Sequence, residues 1–134
     1  MILVIGGAFQ GKKDYCAETF KLSDNDFVEG GSAFMEDLLQ ARGISHFQDF
    51  IRREVKEGRD VMADAREIAD RNPGVIIIAN EIGYGVVPAD AFDREYRETV
   101  GNVCTYLAGR ATEVHRVICG VGTVIKKAPA KGTK

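Results

Sequence analysis

Cysteine is scarce in this 134-residue chain, and the three present, Cys16, Cys104 and Cys119, stand far apart. No two have the short spacing of a zinc-binding knuckle, and an odd number closes no disulfide framework. Reduced, partly buried thiols in a cytoplasmic protein are the expectation. Long hydrophobic runs are missing too. The apolar run at residues 1–5 falls far below the roughly 20 residues of a membrane span. It is also shorter than a secretory core, and no basic segment precedes it, so neither export nor membrane insertion is expected. A strong charge of either sign is absent. The net charge of −2 offers no field to draw nucleic acid or an anionic lipid surface. Repeats, linkers and low-complexity blocks do not occur before residue 126. Length and the 45% hydrophobic content fit one globular domain. We expect it over residues 1–126, followed by a basic, disordered tail over 127–134.

What is there reads as strands alternating with helices. Residues 1–5 form a continuous apolar run, as in a parallel strand covered on both faces. Asp14 to Leu22 reads as the helix after it, and Asp26 to Glu29 as a weaker strand closed by Gly30-Gly31. Ala33 to Arg42 has helical spacing and stops at Gly43. Ser45 suits the N-cap of a helix with Phe47, Phe50, Ile51 and Val55 on one face. Val61, Met62, Ala65, Ile68 and Ala69 mark another helix, ended by Asn72-Pro73-Gly74. Val75 to Ala79 is the clearest interior strand. Phe92, Tyr96, Val100, Val103 and Leu107 outline the longest helix, weakened locally by Gly101 and Gly109. Val114 to Cys119 reads as a last strand. This alternation predicts a mostly parallel α/β sheet with helices on both faces.

The first strand leads into Gly6-Gly7-Ala8-Phe9-Gln10-Gly11-Lys12-Lys13, the layout of a phosphate-binding loop between strand and helix. Small residues let backbone N–H groups turn inward around an anion, and the helix adds the positive end of its dipole. Gly6, Gly7, Ala8 and Gly11 supply the small residues. Phe9 and Gln10 form the crown, and Lys12 reaches the outer phosphates of a nucleotide. The motif ordinarily has Ser or Thr after that lysine, whose hydroxyl ligates Mg²⁺. Lys13 stands there, and an ammonium group repels a cation. Either Lys13 neutralises phosphate charge itself, in metal-poor binding, or it points outward.

A second set of motifs follows the interior strand. It comprises Asn80-Glu81-Ile82-Gly83-Tyr84-Gly85-Val86-Val87-Pro88, then Arg94-Glu95-Tyr96-Arg97-Glu98 and Gly101, then Gly120-Val121-Gly122-Thr123-Val124-Ile125-Lys126. Together with the loop, this combination resembles the bifunctional adenosylcobinamide kinase/adenosylcobinamide-phosphate guanylyltransferase family of cobalamin biosynthesis. The likeness covers roughly residues 1–18 and 75–126. It implies a phosphate-loop NTPase-like α/β fold, here with a reduced strand count, and a homo-oligomer. It implies phosphoryl transfer from ATP or GTP to the aminopropanol hydroxyl of adenosylcobinamide, then guanylyl transfer through a nucleotidylated histidine. Carried over residue by residue, the loop positions Gly6, Gly7, Ala8, Gly11 and Lys12 contact nucleotide phosphates. Glu81 is the acidic group that takes a proton or orients metal-bound water. Arg94 and Arg97 contact substrate or a neighbouring subunit. Asp26 and Glu81 are the candidate metal ligands.

The chain departs from the family pattern in its centre. The family is longer between the first helix and the interior strand, where the nucleotidylated histidine lies near an Arg-Pro-x-x-Trp-like motif. This chain has no tryptophan. His46 lacks that context and reads as a capping or surface histidine, and His115 reads as structural. The family's Asn-Gln pair on the long helix is replaced by Cys104-Thr105. The expectation is a kinase-like nucleotide-binding protein that has lost guanylyl transfer. A non-catalytic nucleotide-binding module or an oligomeric scaffold of the same family is the alternative.

Overall fold

The computed structural model describes residues 1–81 and 90–127. Within them six strands form one sheet, β1 (Ile2–Gly6), β2 (Phe27–Glu29), β3 (Gly43–Ser45), β4 (Ile76–Asn80), β5 (Glu113–Ile118) and β6 (Val121–Lys126). The helices are α1 (Lys12–Phe20), α2 (Met35–Leu38), α3 (Phe47–Lys56), α4 (Val61–Arg71) and α5 (Ala91–Arg110). The spatial order is β2-β3-β4-β1-β5-β6. All neighbours are parallel except the β5–β6 hairpin. The carboxyl ends of β1 to β5 therefore share one edge. No helix among the described residues is long and apolar enough to cross a membrane.

The two faces of the sheet are covered unequally. Leu3, Ile44, Ile77 and Ala79 point to the larger core, with Phe47, Phe50 and Ile51 of α3, Ala65 and Ile68 of α4, and Val103 and Leu107 of α5. Val4, Ile76, Ile78 and Val117 point the other way, onto Cys16 of α1 and Leu22. Strand side chains alternate between faces, so the unbroken apolar runs of β1 and β4 feed both cores. The predicted helices on both faces are present.

Two strands had no clear sequence signature. β3 is three residues long, and Ser45, expected as a helix cap, is its last residue, paired with Glu29. His46 takes the N-cap position of α3 instead, with φ of 52°. Pairing on both sides, with β2 and β4, overrides the local capping preference of serine. β6 is an exposed edge strand, antiparallel to β5. The helix expected over 33–42 shrinks to the single turn of α2. Phe34 is 74% exposed, and the turn is anchored by buried Leu38, with Met35 and Leu39 packed partly against the same core. The strand expected from Asp26 begins at Phe27, because Asp26 closes a short 3-10 turn capped by Ser23. α5 runs unbroken through Gly101. Residues 82–89, which hold most of the second motif, and 128–134 of the expected tail lie outside the described residues.

Candidate functional site

β1 ends at Gly6 beside β5, where a Cβ would collide with the carbonyl oxygen of Val117. Only glycine lets the strand end lie that close. The chain then turns through 7–11 into α1. Gly11 adopts φ of +81°, a left-handed conformation that glycine takes without penalty. Phe9 also has positive φ, at 59°, and its side chain is fully exposed on the crown. Gln10 is tied to the β5–β6 turn at two points. Its carbonyl oxygen accepts from the Gly120 N–H at 2.8 Å, and its Oε1 accepts from the Cys119 N–H at 2.6 Å.

Lys12 opens α1 and is buried. Its Nζ donates to the Gly7 carbonyl oxygen at 2.6 Å. Burial holds its ammonium below the ordinary lysine range, while the Glu81 carboxylate pulls the other way. Glu81 lies just past β4, and its N–H donates to the Gly6 carbonyl oxygen at 2.8 Å. Its Oε2 accepts from Arg116 Nε at 3.3 Å. The fold thus brings Lys12 and Glu81, far apart in sequence, to one place. Below them burial pushes the Cys16 thiol up to about 12, so it stays protonated and is a poor nucleophile.

A cleft of about 260 Å³ opens in front of the loop. It is lined by residues 8–14, by Ser45 at the end of β3 and His46 just past it, and by Ile78 and Asn80 of β4. It sits at the carboxyl edge of a parallel sheet, the usual place for ligands in open α/β folds. The Asn80 N–H donates to the buried Gln48 side-chain oxygen at 2.9 Å, which fixes the far wall. Gly6, Gly7 and Glu81 stand behind this lining rather than in it.

Lys13 also borders the cleft, but its ammonium is drawn aside. Nζ lies 3.8 Å from Asp24 Oδ1 and 5.2 Å from the centre of the Phe27 ring. Asp26 is at the opposite end of the sheet from the loop, because it precedes the parallel strand β2. Its Oδ2 accepts from the Ser23 N–H at 2.8 Å and pairs with Arg42 at 3.2 Å. The acidic residue at the loop end of β2 is Glu29, which sequence reasoning passed over. Arg94 is exposed on the first turn of α5, and Arg97 Nε pairs with Asp93 at 3.3 Å. Neither lines the cleft.

The two histidines differ. His115 is buried on β5, with Nδ1 2.7 Å from the Tyr15 hydroxyl and Nε2 2.8 Å from Glu113 Oε1. It is structural, as read from the sequence. His46 is exposed on the cleft rim, its Nδ1 2.8 Å from Glu29 Oε2. Glu29 directly follows the apolar pair Phe27-Val28 in β2, while Ser45 stands between Ile44 and His46 at the end of β3. The signal of a strand end was present but faint.

Of the three positions that bear on Mg²⁺, Lys13 and Asp26 are unsuited to it, and Glu81 stands beside Lys12 and pairs with Arg116. The position that needs a hydroxyl carries an amine, turned away to Asp24, and Asp26 is at the wrong end of its strand.

A family model described as cobinamide kinase / cobinamide phosphate guanyltransferase matches residues 27–125. Two curated relatives are similar over a shorter stretch. They are the bifunctional adenosylcobalamin biosynthesis proteins CobU of Escherichia coli and of Salmonella typhimurium, each 40% identical over 52 residues. That stretch is 39% of this chain and 29% of either relative, so the chain matches less than a third of their length. The loop itself precedes the span matched by the family model. Because that span takes in most of the sheet and every helix after α1, the chain belongs to the cobinamide kinase / cobinamide phosphate guanyltransferase family.

Proposed function

We propose that this chain binds ATP or GTP at the loop of residues 6–13 and transfers the terminal phosphoryl group to a hydroxyl of adenosylcobinamide. The observation that carries the reading is the placement of buried Lys12 at the start of α1, 2.6 Å from the Gly7 carbonyl oxygen, in front of an open cleft. An ammonium group there, with the N-terminus of a helix behind it, is built to meet a polyanion.

In the proposed reaction the acceptor oxygen attacks the terminal phosphorus as the bond to the bridging oxygen breaks. The nucleoside diphosphate leaves. Lys12 exchanges its bond to Gly7 for the phosphate oxygens and stabilises the charge that spreads over them. Glu81 receives the hydroxyl proton or orients the acceptor. Arg116, paired with Glu81, keeps that carboxylate aimed. Phe9 and Gln10 complete the nucleotide contacts, and Arg94 and Arg97 serve substrate or subunit contacts outside the cleft. Guanylyl transfer through a histidine is absent in this reading. His115 is enclosed between Tyr15 and Glu113, and His46 is held by Glu29.

The chain acts as a homo-oligomer in the same reading, which the exposed apolar side chains of Val121 and Ile125 on edge strand β6 support. Incubation with adenosylcobinamide and terminally labelled ATP or GTP tests the activity. Labelled cobinamide phosphate is expected, with no protein label from GTP carrying the label on its inner phosphate. Absence of transfer across nucleotides and metals contradicts the kinase. It favours the non-catalytic binding module, the reading that the outward pull on Lys13 supports.

A further inference from the structure

The sheet brings Glu29, His46 and Asp49 together at the rim of the cleft. Glu29 is the last residue of β2 and pairs in register with Ser45, so His46 is the next residue at the end of the adjacent strand. Asp49 follows in the first turn of α3, its N–H donating to the His46 carbonyl oxygen at 2.9 Å. One donor atom from each of the three side chains lies within 4.8 Å of the others, and all three are exposed. Gly31 borders the grouping, its N–H donating to Glu29 Oε1 at 3.1 Å.

The charges in this group do not balance. Two carboxylates and one imidazole share this space, and besides His46 the neutral Gly31 N–H and Ser45 hydroxyl donate to Glu29. Among the described residues no lysine or arginine forms an ion pair with Glu29 or Asp49. A protonated His46 offsets one negative charge and leaves the other. A divalent cation offsets both. We propose that Glu29, His46 and Asp49 bind one divalent transition-metal ion at the rim of the cleft.

The donor set names the class of ion. One imidazole nitrogen and two carboxylate oxygens suit Zn²⁺, Co²⁺ or Ni²⁺. Mg²⁺ takes all-oxygen octahedral sites and keeps its waters, so this is not the ion that a phosphate loop holds through a hydroxyl. Three exposed ligands leave further coordination positions to water or an anionic oxygen. The site does not rest on the nucleotide reading.

The test uses the whole chain, stripped with a chelator and free of nucleotide. Zn²⁺ is titrated by calorimetry and Co²⁺ by its visible absorption bands. One ion per chain is expected. His46→Ala and Asp49→Asn are each expected to weaken binding at least about tenfold, with unchanged circular dichroism because both side chains are exposed. Cys119→Ser, which removes the exposed thiol, is expected to bind as the parent does. Failure to take up one equivalent overturns the proposal. So does undiminished affinity in both His46→Ala and Asp49→Asn, or loss of binding in Cys119→Ser. ATP titrated separately into the same protein shows whether the loop works, so the two readings fail independently.

Discussion

Gln10 Oε1 accepts a hydrogen bond from the Cys119 backbone N–H at 2.6 Å, joining the crown of the loop to the β5–β6 turn. Two motifs more than a hundred residues apart are therefore one structural unit. Gly120 completes the joint, its N–H bonded to the Gln10 carbonyl oxygen and its Cα 3.4 Å from the place a Gly11 Cβ would occupy. The hairpin holds the loop open from behind.

Removing that brace is expected to loosen the loop without unfolding the sheet. Gln10→Ala loses the side-chain bond and keeps the backbone one. Stability falls by about 0.5–1.5 kcal/mol, and nucleotide binds several-fold more weakly because the loop is less preorganised. Thermal melts and calorimetric titration of ATP check both effects.

Lys13 offers a sharper test of metal dependence. Its pairing with Asp24 is exposed, so Lys13→Ser costs less than about 1 kcal/mol. The parent is expected to bind nucleotide equally with Mg²⁺ or with chelator. Lys13→Ser supplies the missing hydroxyl and makes binding Mg²⁺-dependent. Paired titrations with and without Mg²⁺ decide it.

A pH signature comes from the larger core. Glu54 is 5% exposed and packs near Asp64 on α4. Burial, then the adjacent Asp64 carboxyl, pushes it up to about 8 from 4.5. Between those values the native state holds a proton that the unfolded chain has released. The stability that Glu54 contributes is therefore complete below about pH 4.5 and is lost as pH rises toward 8. Glu54→Gln keeps an uncharged donor toward Asp64 at every pH. It is expected to flatten this decline and to be more stable than the parent above pH 8, by about 1–3 kcal/mol. Denaturant titrations at pH 5 and pH 8.5 measure it.

Much of this architecture was legible because apolar runs and helical spacing carry it. β1, β4, α4 and α5 announce themselves through Ile-Leu-Val-Ile, Ile-Ile-Ile-Ala and regular apolar positions. What stayed hidden depends on partners rather than on local pattern. β3 is a strand because β2 and β4 flank it, and its three residues say little alone. Asp26, named from the resemblance, precedes β2 at its amino end, whereas Glu29 closes that strand at the loop edge of the sheet, and no local pattern tells the two ends apart. His46 is exposed at the N-cap position of α3, as a capping or surface histidine would be, but nothing in the sequence places Glu29 and Asp49 beside it.

The central claim is that the loop of residues 6–13 receives a nucleotide through Lys12. Its most direct test is calorimetric titration of ATP and GTP into the parent and into Lys12→Ala. One nucleotide per chain is expected, with affinity falling about 10- to 100-fold on loss of the ammonium. No saturable binding to the parent, or equal affinity in Lys12→Ala, would contradict it.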